Sequence, residues 1–128
     1  MSQEKVKEYN AWFLSGLSLN AIGERFVNAK IITSFKYGHE SVYEWLEAKT
    51  PKDEYDLNIS RKHCSGIGVD QEPIHILLMY SGKEPDNSVV DDMAREISGM
   101  FGCKVSLGHI DYVQGAQYSY RKTREIRV

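Results

Sequence analysis

The chain has 128 residues, of which 41% are hydrophobic and 27% charged, and its formal net charge at pH 7 is −2. This length accommodates one domain, and the ordinary composition excludes a disordered, collagen-like or low-complexity chain. No apolar run approaches the ~18 residues of a membrane span, and the first residues lack the apolar core of a signal peptide. Two widely separated cysteines fit a reducing compartment, so we expect a cytoplasmic protein without membrane contact.

The first 50 residues carry apolar side chains at helical spacing, every three to four positions. Three such stretches are separated by Gly16 and Gly38, and they contain in turn Val6, Tyr9, Phe13 and Leu17; Leu19, Ile22, Phe26 and Ala29; and Val42, Trp45 and Leu46. Ser18 is a suitable N-cap for the second helix. Thr50 ends the third, which spans residues 40–49, because a residue before proline avoids helical backbone angles. This pattern predicts three N-terminal helices.

Beyond Pro51 the hydrophobic period changes from about 3.6 residues to two, which is the spacing of β-strands. Tyr55, Leu57 and Ile59 alternate with polar residues and predict a strand with one buried face. Residues 74–80 are apolar almost throughout, which is typical of a central strand buried on both faces. The sequence therefore predicts two strands in this segment.

An amphipathic helix is predicted next. Its apolar stripe consists of Val90, Met93, Ala94, Ile97, Met100 and Phe101. Ser88, with Asp91 three residues later, resembles a capping box, and Gly102 stands where a helix-terminating glycine belongs. Two more strands follow, with an expected bulge at Gly108, a turn at Gln114 and Gly115, and a last strand from Tyr118 onward.

Together these elements predict an α+β fold in the order ααα-ββ-α-ββ, with the N-terminal helices packed on a mixed sheet of about four strands. The central strand, the crossover helix and the third strand are expected to form a right-handed parallel unit. We interpret residues 1–128 as a single domain, helical over 1–50 and sheet-forming over 51–128.

Charge is unevenly distributed along the chain. Acidic side chains concentrate over residues 40–56 and 84–96, whereas residues 112–128 are basic. The acidic stretches supply a candidate partner-binding surface made of Tyr43, Glu44, Glu47, Asp91, Asp92 and Glu96. Trp45 adds an anchor to this surface if it is exposed. Such acids are the expected contact of a protein that mimics phosphate charge toward a nuclease or another nucleic-acid-binding enzyme.

The basic C-terminal strand supplies a second candidate surface. It interleaves aromatic and cationic side chains, namely Tyr118, Tyr120, Arg121, Lys122, Arg124 and Arg127. Aromatic rings stack on bases and cations bind phosphates, so this strand is the candidate nucleic-acid-binding element. The same charges also suit a solvated edge strand that avoids edge-to-edge association, or docking to an acidic protein face.

Histidine and cysteine chemistry gives a third hypothesis. His63, His75 and His109 fall in predicted strands, with Cys64 and Cys103 nearby. No pair has the close spacing of zinc ligands, so we predict no metal site and no cofactor. A thiol enzyme would activate Cys64 through a neighbouring histidine and draw oxyanion donors from the backbone of residues 65–68.

No nucleophile, base and oxyanion donor occur at a diagnostic spacing. The leading hypothesis is therefore a non-catalytic protein-binding module, of the stoichiometric inhibitor, immunity-protein or phage-antagonist type. Nucleic-acid binding through the C-terminal strand is the alternative, and a small Cys/His-dependent enzyme is the third. The sequence neither predicts nor excludes a homodimer.

Overall fold

The computed structural model describes residues 9–40, 43–51, 55–62, 73–80, 85–113 and 117–128. These residues form seven strands and two helices. In chain order the elements are β1 (Tyr9–Phe13), α1 (Leu19–Asn28), β2 (Phe35–Glu40), β3 (Tyr43–Lys49), β4 (Asp56–Lys62), β5 (Ile74–Met79), α2 (Asn87–Phe101), β6 (Val105–Val113) and β7 (Gln117–Ile126).

The strands form one sheet in the order β2-β3-β4-β5-β1-β6-β7, and all neighbouring strands are antiparallel. β1 lies inside this sheet, between β5 and β6. Because β1 is antiparallel to both, β5 and β6 run in the same direction without touching, and α2 connects them. The sheet is thus a four-stranded meander from β2 to β5 and a β6–β7 hairpin, joined through β1.

Both helices contribute to a single hydrophobic core with one face of the sheet. α1 buries Leu19, Ile22 and Phe26 completely, which follows from their helical spacing. Against them and the apolar stripe of α2 lie alternate sheet residues, including Ala11, Phe13, Leu46, Leu57, Ile59, Ile74, Ile76, Leu78, Val105 and Leu107. Aromatic rings join the layers, since the Phe13 ring centroid lies 6.5 Å from that of Phe26 and 5.4 Å from that of Phe101.

The helix ends follow their local sequence. The Oγ of Ser18 accepts a hydrogen bond from the backbone N–H of Ala21 at 3.1 Å, which confirms the predicted cap of α1. Gly102 adopts a left-handed φ of 64° and ends α2 as predicted. The predicted capping box at Ser88 is wrong, because the N-cap residue is Asp86 and its side chain makes no capping hydrogen bond. Neither described helix is long and apolar enough to cross a membrane.

The predicted fold class is wrong in its N-terminal half. The described residues contain two helices and a seven-stranded antiparallel sheet, instead of three N-terminal helices on a mixed sheet of about four strands. The first predicted helix contains β1, a strand buried on both faces, so its sequence shows no alternation of apolar and polar residues with a period of two. The third predicted helix, residues 40–49, contains β3, in which every second residue is buried.

The sheet-forming half agrees better with its prediction. β4 and β5 fall where the alternating and apolar segments place them, and β5 lies inside the sheet, but only one of its faces is fully buried and not both as predicted. The register of β6 against β7 shifts between Leu107 and Gly108, at the predicted position, but the extra residue is Thr123 of β7 and not a residue of β6. The expected parallel unit is wrong, because β1 lies between β5 and β6. The predicted turn at Gln114 and Gly115 lies outside the described residues.

Candidate functional site

The second face of the sheet has no helix packed on it within the described part of the chain, and we call it the open face. It carries the alternate strand residues that do not enter the core. From β2 to β6 these are Lys36, Gly38 and Glu40; Tyr43, Trp45, Glu47 and Lys49; Asp56, Asn58, Ser60 and Lys62; His75, Leu77 and Met79; Asn10 and Trp12; and Ser106 and Gly108. The open face therefore mixes aromatic, charged and amide side chains.

β3 presents Tyr43, Trp45 and Glu47 next to one another on the open face, and we call these three residues the β3 strip. Tyr43 is 44% exposed, Glu47 is exposed and Trp45 is partly buried. Gly38 of the edge strand β2 lies beside Trp45, and a Cβ atom on it would come within 2.7 Å of Cε2 of the indole. The missing side chain of Gly38 thus provides the space in which the Trp45 ring packs against the edge strand.

Charges of both signs surround the β3 strip. Lys36 lies opposite Glu47 and Lys62 opposite Tyr43 in the strand register, while Lys49 forms a 3.1 Å ion pair with Asp56. The exposed acids Glu40, Glu47 and Asp56 are therefore interspersed with the exposed lysines Lys36, Lys49 and Lys62. This part of the open face has no acidic excess among its described side chains, although the sequence from residue 40 to 56 is acidic.

A groove of about 560 Å³ adjoins the β3 strip at one end of β2 to β5. Its lining includes the ion pair Lys49–Asp56, together with Glu47, Asn58 and Met79. The Met79 side chain is 38% exposed there. The groove is large enough to receive a side chain of another protein between polar walls.

Trp12, His75 and Asn10 form a compact group at the middle of the open face. The Trp12 and His75 rings stack at 5.2 Å with 10° between their planes, and Nε2 of His75 lies 2.8 Å from Oδ1 of Asn10. Burial lowers the pKa of His75 to about 4, so the imidazole is neutral at pH 7 and Nε2–H donates to the amide oxygen. The group is uncharged at pH 7 and mostly buried, and this suits a structural role.

A buried ion pair lies on the helix-covered face of the sheet. Nη2 of Arg61 lies 3.5 Å from Oε2 of Glu44, and both side chains are almost completely buried. Nη1 of Arg61 donates to the carbonyl oxygens of Ser15 and Leu17, at 3.2 and 2.8 Å. The Tyr37 hydroxyl donates to Glu44 at 3.3 Å, and desolvation followed by the Glu44 charge raises the pKa of Tyr37. These contacts fix the segment before α1 to β3 and β4.

The six residues of the candidate acidic surface lie in three places. Tyr43 and Glu47 belong to the β3 strip. Glu44 is only 5% exposed and pairs with Arg61 on the opposite face of the sheet, so it lies outside any exposed acidic surface. Asp91, Asp92 and Glu96 are on α2, where Asp91 pairs with Arg124 of β7 and Asp92 with Arg95. The structure therefore does not bring the six together.

Part of the basic C-terminal strand is neutralised within the chain. Arg124 makes two hydrogen bonds to the Asp91 carboxylate. The Lys122 ammonium lies 2.6 Å from a carboxylate oxygen of Glu125, and this hydrogen bond lowers the pKa of Glu125. Arg127 is exposed beyond the end of the strand. The side chains of Tyr118, Tyr120 and Arg121 lie outside the described residues.

The described residues give thiol chemistry little support. His63 and Cys64 lie outside them, as does the side chain of His109. Burial raises the pKa of the Cys103 thiol, which disfavours the nucleophilic thiolate. The residues that the structure describes contain no group of three or more His, Cys, Asp or Glu side chains suited to a metal ion.

Comparisons with protein families, curated proteins and solved structures find no match for this chain. Gly38 is among the open-face residues that sequence reasoning missed, because the sequence places it between two predicted helices. An alternation of Tyr43, Trp45 and Glu47 is visible in the sequence, and a strand interpretation of residues 43–49 would have placed all three on one face.

Proposed function

We propose that this chain is a non-catalytic protein-binding module that blocks a macromolecular partner stoichiometrically, in the cytoplasm, and that the β3 strip is the centre of the contact. The observation that carries the proposal is the alignment of Tyr43 and Trp45 on the open face beside Gly38. Tryptophan and tyrosine supply large contact areas at low conformational-entropy cost and dominate measured binding energies at protein interfaces.

The surroundings of the β3 strip support a protein partner. Protein interfaces combine an aromatic centre with a polar rim, and here lysines and carboxylates alternate around the two rings. A rim of mixed sign favours a partner with its own alternating charges, because like charges brought together would be repelled. The adjoining groove, with Met79 and Asn58 in its lining, offers a receptor for a side chain of that partner.

The alternatives receive less support from the same geometry. A phosphate mimic needs clustered free acids, whereas the Asp56, Asp91 and Asp92 carboxylates pair with cations of the chain itself. A nucleic-acid-binding strand needs free cations, whereas Arg124 and Lys122 pair with acids of the chain.

The test is capture of a partner by the intact protein and by matched variants. Purified tagged protein is incubated with lysate of its source organism, with and without added nuclease, and the recovered proteins are quantified by mass spectrometry. We expect one protein at near-equal stoichiometry with the wild type, and about tenfold or greater loss of affinity for it with Trp45→Ala and with Tyr43→Ala.

The control variant is Asp92→Lys combined with Glu96→Lys, which reverses two exposed charges on α2. This variant is expected to retain the partner. Recovery of the same protein by all variants would place the contact elsewhere, and loss with the α2 variant alone would transfer it to the acidic helix. Recovery of nucleic acid, abolished by nuclease, would overturn the proposal in favour of the C-terminal strand.

A further inference from the structure

A second groove, of about 530 Å³, opens at the other end of the sheet, and we call it the sheet-end groove. It lies where β1 ends and where β5 and β6 begin. Trp12 and Ser106, neighbours in the strand register, line it together with Leu14 and Pro73. Its volume falls within the ~300–1,000 Å³ typical of small-molecule sites.

Among the described residues, the charged side chains that line the sheet-end groove are both cationic. They are Lys104 and Arg127, and both are exposed. Lys104 precedes Val105 and Arg127 follows Ile126, and Val105 and Ile126 are partners in the ladder, so the two cations leave the sheet side by side. Like charges held opposite each other on adjacent strands are mutually repulsive. Glu125 approaches Lys104 at 3.6 Å but does not line the groove.

The remaining walls of the sheet-end groove are largely apolar. Trp12 is only 8% exposed, whereas the Leu14 side chain is 50% exposed at the rim. The exposed leucine leaves apolar surface in contact with water, and a ligand bound against it would bury that surface. An apolar body therefore fits against these walls while its charged end reaches the two cations.

We propose that the sheet-end groove binds a small organic anion, with an aromatic or branched apolar body against Trp12 and Leu14 and an acidic group between Lys104 and Arg127. The anion relieves the repulsion between the two cations, and the apolar body covers the exposed Leu14. This site is independent of the β3 strip and of the function proposed for it.

Cys103 lines the same groove and serves as a reporter for it. Burial raises the pKa of its thiol, against a smaller opposing effect of the Arg127 charge. The thiol is therefore uncharged at neutral pH and does not repel an anion. A ligand in the groove covers Cys103, so its alkylation by iodoacetamide measures occupancy at this position.

The test compares two probes of nearly identical apolar shape. Anilinonaphthalene sulfonate is an aromatic anion with environment-sensitive fluorescence, and phenylnaphthylamine is the same ring system without the sulfonate. We expect the anion to bind the wild-type protein more tightly than the neutral probe. Lys104→Gln and Arg127→Gln should each lower the affinity for the anion about three- to tenfold and leave that for the neutral probe unchanged.

Lys62→Gln, which removes an exposed lysine elsewhere on the open face, is the matched control and should change neither affinity. Binding of the anion should also slow alkylation of the Cys103 peptide, measured by mass spectrometry separately from the Cys64 peptide. The proposal is overturned if the two probes bind equally, if neither binds, or if Cys103 stays reactive under saturating anion.

Discussion

Trp45 depends on the smallest residue of the neighbouring strand. A Cβ atom at Gly38 would lie 2.7–2.8 Å from three atoms of the indole ring, closer than real side chains approach. A side chain at position 38 would therefore force the Trp45 ring to move. Gly38 therefore fixes the position of the aromatic centre that we assign to partner binding.

Gly38→Ala is expected to displace the Trp45 ring and to lower the free energy of unfolding by about 1–3 kcal/mol, the usual cost of overpacking. Tryptophan fluorescence and urea denaturation measure the two effects. The control is Gly99→Ala in α2, where a Cβ meets nothing within 4 Å. Alanine there should stabilise the protein by about 0.5–1 kcal/mol, because it is the better helix former. Unchanged fluorescence in Gly38→Ala would contradict the packing argument.

At the scale of elements, the pair Arg61–Glu44 joins three parts of the chain. It connects β4 to β3 and, through the carbonyls of Ser15 and Leu17, to the segment that leads into α1. Buried charges are costly unless they are paired and hydrogen-bonded, and these contacts supply that compensation. The pair thus fixes where α1 begins over the sheet.

Arg61→Met is expected to lower the free energy of unfolding by about 3–5 kcal/mol, because it leaves the Glu44 carboxylate buried without its guanidinium. The double variant Arg61→Met, Glu44→Gln should recover part of that loss. Lys49→Met, which breaks the exposed pair with Asp56, should cost less than about 1 kcal/mol. Chemical denaturation of all three measures the difference, and equal costs at the two pairs would refute a buried role for Arg61.

The same pair explains why the sequence misleads over residues 43–49. In β3 the inward residues are Glu44, Leu46 and Ala48, and the outward ones include Tyr43 and Trp45. A buried carboxylate and two outward aromatic rings invert the polarity that a strand pattern requires. The partner that makes Glu44 tolerable inside is 17 residues away in the chain, so no local rule reveals it.

Where pattern and burial agree, prediction from the sequence succeeds. α1, α2 and β4 keep their apolar residues on the core side, and their positions were predictable. β5 was predictable from its apolar run, although Leu77 and Met79 lie on the open face. The candidate site was less predictable, because strand pairing decides which of its residues lie next to one another. Gly38 lies opposite Trp45 and Trp12 lies opposite His75, and these neighbours are set by the register.

For the whole molecule, the titration of His75 couples stability to pH. Its pKa is about 4 in the folded protein, against 6.5 for an unperturbed histidine. The unfolded chain therefore binds a proton more readily, and stability is lost as pH falls from 6.5 toward 4. Above this range the neutral imidazole stacks on Trp12 without cost, so its full contribution is present at pH 7.

The titration of His75 is expected to lower the free energy of unfolding by about 2–3 kcal/mol as the pH falls from 6.5 to about 4. His75→Gln should remove this component while retaining a donor for Asn10. His39→Gln, at an exposed position of β2, should behave as the wild type. Urea denaturation at several pH values measures how the free energy of unfolding changes with pH in the wild type and in the two variants. The same pH dependence in His75→Gln as in the wild type would contradict the role of His75.

The position of β1 has a consequence for synthesis. The ribosome makes β1 before the other described strands, yet its two neighbours, β5 and β6, come from residues 74–79 and 105–113. A nascent chain that has emerged only as far as α2 can complete the meander and pair β1 with β5. The other edge of β1 has no neighbouring strand until β6 has been made. That edge, with Ala11 and Trp12, stays open to neighbouring chains until then, so slow elongation between α2 and β6 is the stage most exposed to aggregation.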